Sequence, residues 1–169
     1  MNKKLRSFSL VLIMIIAVGF VTPLNISAQE TTLEITSKTI EYLGDGIICE
    51  TIIEEIPMDN SAMASRSSSI KTRSGSKTAT YKNASSGATL WSVRVTGNFR
   101  YNGTTSSATS SSVTATSLHN LWKIPSRSSS YSGNTARATA TGQQYSGNSI
   151  IFTATRTVSL SCSRTGVLN

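Results

Sequence analysis

Acidic side chains are absent from most of this 169-residue chain: all eight lie between Glu30 and Asp59, and residues 60–169 hold none. Histidine occurs once, at His119, and cysteine twice, at Cys49 and Cys162. Past residue 60, acid–base catalysis near neutral pH would therefore rest on His119 and Cys162 alone. A serine nucleophile needs a base beside it and a third group to orient that base, and His119 has no carboxylate in its own part of the sequence. Two Ser-x-x-Lys spacings, Ser68-Ser69-Ile70-Lys71 and Ser74-Gly75-Ser76-Lys77, fall in a serine-rich stretch without companion motifs. The composition speaks against an enzyme. One histidine, two distant cysteines and strung-out carboxylates give no ligand cluster at metal spacing, so no metal or cofactor is expected. Proline is rare, and only Pro125 interrupts the strand-like part, which leaves strand edges open to pairing with other chains.

What is present begins with a leader. Residues 1–28 run from a basic start (Lys3, Lys4, Arg6) through an apolar stretch from Phe8 to Val21 to a polar end at Ile26-Ser27-Ala28. This is the layout of a secretory signal peptide, with cleavage expected between Ala28 and Gln29. The apolar stretch falls short of the roughly 20 residues that a spanning helix needs. The last residues, Thr165 to Asn169, carry no wall-sorting motif. The mature chain is expected to be secreted, at most loosely associated with the wall.

Charge is segregated along the chain. Residues 29–59 set one lysine, Lys38, against all eight acids, whereas residues 60–169 hold twelve Lys or Arg. Residues 29–57 read as an acidic arm: Leu33, Ile35, Ile40 and Tyr42, then Leu43-Gly44-Asp45-Gly46, then Ile47 to Ile53 suggest two short strands around a glycine turn. A two-stranded hairpin is marginal alone in water, and opposite charge points to the basic part as its support. The other readings are a solvated flexible arm and a propeptide. Residues 58–76 are a Ser-rich linker by composition, and Arg66, Lys71 and Arg73 there would be sites for extracellular proteases.

Residues 77–169 form a basic β domain with period two rather than 3.6. Trp91, Val93, Val95, Gly97, Phe99 and Tyr101 share one face of a strand; Ser92, Arg94, Thr96, Asn98 and Arg100 share the other. Asn102-Gly103 is a hairpin signal, and Ser132-Gly133-Asn134 and Ser146-Gly147-Asn148 mark further turns. Ala136, Ala138 and Ala140 alternate with polar residues, which suggests a thin core. The last strand places Ile150, Phe152, Ala154, Val158, Leu160 and Cys162 on one face, with Arg156 the exception. The expected fold is all-β, an antiparallel Ig-like β-sandwich of about six or seven strands, with a small barrel as the second choice and Trp91, Trp122, Phe99 and Phe152 in the core. Thr-Ala-Thr recurs at residues 78, 114, 139 and 153, but at unequal spacings that no solenoid repeat would align.

Binding by charge remains. Arg94, Arg100, Arg137, Lys82 and Lys123 are the candidate anion-binding residues, suited to anionic cell-wall polymers or an anionic membrane surface. No nucleic-acid recognition motif is present, so no specific nucleic acid is expected. Cys49 and Cys162 are the candidate disulfide of an exported protein; the alternative is two free thiols.

The signal peptide, the acidic hairpin with its Gly-Asp-Gly turn, the Ser-rich stretch and the run from Lys77-Thr78-Ala79-Thr80-Tyr81 to Leu90-Trp91-Ser92-Val93 together resemble a family of small secreted Ser/Thr-rich β proteins of Gram-positive bacteria. Trp122-Lys123-Ile124, Ser132-Gly133-Asn134-Thr135 and the closing Val158-Ser159-Leu160-Ser161-Cys162-Ser163 extend the likeness over nearly the whole chain. These motifs contain no catalytic or ligand residues, so the resemblance carries over a setting, a Gram-positive envelope rich in anionic polymers, and no activity. The expected function is non-enzymatic binding to that envelope. The alternative is a bacteriocin-like or pore-forming antagonist kept inactive by the acidic segment.

Overall fold

The computed structural model describes residues 34–57 and 70–169, and every regular element among them is an antiparallel strand. β1 (Glu34–Gly44) and β2 (Ile47–Ile56) flank the turn at Gly44-Asp45-Gly46, whose φ angles are 90°, 49° and 70°. Positive φ costs little only for glycine and short polar residues, so the chain reverses at this tripeptide. β3 (Lys71–Asn83), β4 (Thr89–Tyr101) and β5 (Ser106–Ser117) extend the same sheet in the order β1-β2-β3-β4-β5. β6 (Trp122–Ser132), β7 (Thr135–Ser146) and β8 (Ser149–Ser161) form a second sheet that packs on the first as a β-sandwich. The expected signal peptide, the Ala28–Gln29 cleavage site and residues 58–69 of the expected linker lie outside the described residues.

Four expectations change. The hairpin adds β1 and β2 to the six strands that follow, making eight rather than six or seven. Each strand pairs only with its sequence neighbours, and the chain passes between the sheets once, through residues 118–121. An Ig-like sandwich crosses repeatedly by Greek-key connections, whereas the strand order here is two successive meanders. The acidic segment is a built-in part of the sheet rather than an appended arm: β2 pairs with β3 from Ile47 opposite Asn83 to Ile56 opposite Ser74 and buries Cys49 and Ile53. β3 begins at Lys71, so residues 71–76 are strand and not linker. The buried residues here include hydroxyls, Ser74 bonded to Asn98 and Ser76 to Glu54. No apolar period marks the strand.

Trp91, Val93, Val95 and Phe99 of β4 are almost completely buried, as their alternation requires. Ala136, Ala138 and Ala140 of β7 lie in the same core. These small residues do not thin it; they make room for the rings opposite. A Cβ on Gly142 would stand 2.6 Å from Trp91 Cε2, and one on Gly97 would stand 2.8 Å from the Ala136 Cβ. Trp91 stacks on Tyr81 with ring centres 4.3 Å apart and meets Trp122 of the other sheet at 6.3 Å. Phe152 closes the series edge-on to Trp122 at 5.8 Å but remains 39% exposed. Ile150 is exposed too, so the single apolar face expected for β8 is covered only in its second half, where Val158 and Leu160 are buried. Val158 stands beside Ala79 of β3 in that half, while the tip near Ser149 carries the rest beyond this cover.

The Trp91–Gly142 contact yields a direct test. Gly142→Ala is expected to lower stability by about 1–3 kcal/mol, because a buried indole has no room to retreat. Thr141→Ser, on the solvent side of the same strand, should stay within about 0.5 kcal/mol. Guanidinium unfolding followed by tryptophan fluorescence measures both.

Candidate functional site

On the outward face of the five-stranded sheet the acidic hairpin meets the basic strands. Glu50 lies between Lys38 at 2.7 Å and Lys82 at 2.8 Å. Its side chain is only 12% exposed, and hydrogen bonds from these two ammonium groups hold its carboxyl below the usual range. Glu54 takes Arg94 at 3.1 Å and a hydrogen bond from Ser76 Oγ at 3.1 Å, while Arg94 itself donates to Ser76 Oγ at 2.6 Å. The register puts Thr78 between Ile52 and Arg94. The small side chains of β3 let the guanidinium reach across to β2. At inward-facing positions, Arg73 pairs with Glu55, and Arg156 of β8 pairs with Glu41 at 3.4 Å. Lys82 and Arg94, both candidates for anion binding, are therefore already neutralised. Arg100, farther along the outward side of β4, has no acid within 4 Å among the described residues.

The outward face of the three-stranded sheet is different. Pairing aligns Ser126–Thr141–Thr155, Ser128–Thr139–Thr157, Ser130–Arg137–Ser159 and Ser132–Thr135–Ser161 in transverse ranks. Lys123–Gln143–Thr153 forms one more. Neighbouring strands are about 4.8 Å apart and successive ranks about 6.7 Å. Thr139 and Thr157 share a hydrogen bond of 2.8 Å, and Thr141 and Thr155 one of 2.9 Å. Antiparallel register thus aligns threonine repeats that are unevenly spaced in sequence. No carboxylate occurs between residues 122 and 161. Arg137 and Lys123 belong to this face, about 20 Å apart along the strand; Lys123 Nζ sits 4.6 Å from the centre of the Tyr145 ring. Of the five candidate cations, the fold brings Lys123 and Arg137 onto one face and puts Lys82, Arg94 and Arg100 on the other side of the sandwich.

His119 lines a cavity of about 270 Å³ together with Asp45, Asn83, Gln144 and Trp122. The turn of the acidic hairpin thus brings a carboxylate into the surroundings of the only histidine, which sequence distance concealed. The imidazole Nδ1 accepts a hydrogen bond from Leu121 N at 3.3 Å, and nearby Ser117 donates to the carbonyls of His119 and Trp122. Among the described residues no serine hydroxyl bonds to the imidazole, and no three metal-ligating side chains converge.

Cys49 and Cys162 are free and buried, and burial pushes both thiols above their ordinary range. The candidate disulfide does not form because the two stand at different ends of β3. Cys49 faces Tyr81, whereas Cys162 pairs with Leu168, whose side chain packs on Gly75. Six residues of strand separate those positions, about 20 Å, against a limit of about 7 Å between bridged Cα atoms.

Two measurements follow from this chemistry. Protein recovered without reductant should carry two free thiols that react with a thiol reagent only after unfolding; an intact mass two hydrogens lighter would reveal a bridge. Glu50→Gln should cost about 1 kcal/mol at pH 7. The folded carboxyl takes up its proton at lower pH than the unfolded one, so this difference is complete above about pH 4.3 and disappears as the pH falls through the lower folded value. Urea midpoints of both proteins across that range measure the effect. No family model, curated protein or solved structure matches the chain.

Proposed function

We propose that the protein is an exported, non-enzymatic binder of anionic cell-envelope polymers, held on the outward face of the three-stranded sheet. The observation that carries this reading is the division of charge between the sheets. All described acids lie on β1, β2 and their turn, where Glu50, Glu54 and Glu55 pair with cations of the larger sheet and Glu41 reaches Arg156 of the smaller one. The smaller sheet contains no acid, presents ranks of hydroxyls, and keeps Lys123 and Arg137 without an acidic partner among the described residues. A flexible polymer of repeating negative charge can lie along such a face, with the two cations contacting its anionic groups and the hydroxyls donating hydrogen bonds between them. The basic leader with its apolar run, and the likeness to secreted proteins of Gram-positive bacteria, support an extracellular setting.

The antagonist alternative requires the hairpin to leave the sheet, breaking the ladder that runs along all of β2. Dye release from anionic liposomes by chain cut within residues 58–69, with none from uncut chain, would favour it.

The binding reading is tested by co-sedimentation with isolated Gram-positive cell walls. Replacing both Lys123 and Arg137 by Gln should weaken retention about 30-fold, since each cation near an anionic surface contributes about 1 kcal/mol. Arg100→Gln, on the far side, should leave retention unchanged. Raising salt to roughly 0.5 M should release the wild type, because screening shortens the reach of charge to a few ångströms. Retention that survives both the double substitution and the salt would overturn the proposal.

A further inference from the structure

One pair of cations is placed where a sandwich normally keeps apolar side chains. On β3, Lys77 is in phase with Ala79 and Tyr81, both buried, and its lateral partners are Ile53 and Val95. Its side chain therefore points toward the other sheet. On β8, Arg156 is in phase with Val158 and Leu160, the buried residues of that strand. The two cations come from opposite sheets to line one cleft of about 190 Å³, completed by Thr51, Ala79, Thr157, Val158 and Ser159.

The charge balance of this cleft is incomplete. Lys77 is half-buried and has no acid within 4 Å among the described residues. Burial, and then the nearby Arg156, push its amine below the ordinary lysine range. Among the described residues Arg156 has a single carboxylate partner, Glu41, at 3.4 Å on the exposed edge strand, with that side chain 58% exposed. The other titratable groups coupled to Arg156, Cys49 and Tyr81, are both pushed up by burial and supply no negative charge at neutral pH. Two partly desolvated cations, of which only Arg156 has a loosely held carboxylate partner, repel each other, and an entering anion would gain from both.

We infer that the Lys77–Arg156 cleft is a binding site for a phosphate group. The guanidinium offers paired N–H donors suited to two phosphate oxygens, the ammonium a point charge for a third, and Thr51, in phase with Ala79, a hydroxyl at the wall. Glu41 is the internal competitor that occupies Arg156 when the cleft is empty of anion. The site deepens the envelope-binding reading by naming phosphate as the recognised group, yet it stands on residues separate from Lys123 and Arg137.

The test titrates full mature chain with inorganic phosphate and, separately, with a short glycerol phosphodiester, following the thermal midpoint and calorimetric binding. The wild type should gain about 4 °C when phosphate is roughly tenfold above its Kd. Lys77→Met and Arg156→Gln should each abolish the gain, and Glu41→Gln, on an exposed edge, should tighten binding several-fold. Phosphate should also protect Lys77 of the unmutated protein from acetylation, read by peptide mass, which gives an answer even if a core-facing variant misfolds. A response to both probes means that free phosphate suffices; a response to the diester alone means that the site takes phosphate within a chain. Absence of any response in the wild type, or a response that persists in Lys77→Met and Arg156→Gln, would overturn the site. Wall retention keeps the two proposals apart: the Lys123 and Arg137 double variant should lose retention while keeping its phosphate response.

Discussion

The packing of Trp91 between two sheets governs where everything else lies. Its ring stacks on Tyr81 within its own sheet and reaches Trp122 in the other, and Gly142 leaves the space it occupies. Gly97 and Ala136 make a second close approach on the same two strands. These contacts fix β7 over β4, and β8 follows from β7 through continuous pairing. Arg156 consequently arrives opposite Lys77, and the alternate residues of β6, β7 and β8 face solvent as ordered ranks. The distribution of polar groups on the outside is thus a consequence of how small residues meet large ones inside.

Charge does a different job in each sheet. Within the larger one, carboxylates of β2 and cations of β3 and β4 are cross-strand neighbours, and Glu50 and Glu54 each gather more than one donor. Pairs of this kind align strands that carry hydroxyls in place of apolar side chains, as at Ser74 and Ser76. Within the smaller sheet no internal acid exists to take that role, and the strands are held by backbone ladders, hydroxyl pairs such as Thr139 with Thr157, and the alanine row. Lys123 and Arg137, on its outward face, have no acidic partner among the described residues and are left to act on something outside the molecule.

Much of the fold was legible because period two is explicit in the right places. β4 alternates without a break from Trp91 to Tyr101, and the Asn102-Gly103, Ser132-Gly133-Asn134 and Ser146-Gly147-Asn148 turns lie between the strands that they predicted. The start of β3 was hidden because Ser74 and Ser76 are buried by polar partners, a pattern indistinguishable from a linker by composition. The exposed first half of β8 was hidden because apolar alternation does not reveal how far the opposite sheet extends. Arg156 stood out as an exception in its strand, but Lys77 did not: it lay at the edge of the expected domain, and only the register with Ala79 and Tyr81 shows that it faces inward. Asp45 and His119 line one cavity although 74 positions separate them in the chain.

The meander order of both sheets has a kinetic meaning. Every ladder joins a strand to the one just before it, from β1 with β2 through β4 with β5, and then β6 through β8. Closing such neighbours costs little loop entropy, so each hairpin can zip as soon as its second strand is available. The long-range step is the docking of the second meander on the first, when Val158 and Leu160 come to lie over strands completed much earlier in the chain. A chain that emerges amino end first can therefore build its acidic hairpin before any of the cations it will neutralise has appeared beyond Lys38, and assemble the rest onto that edge in order.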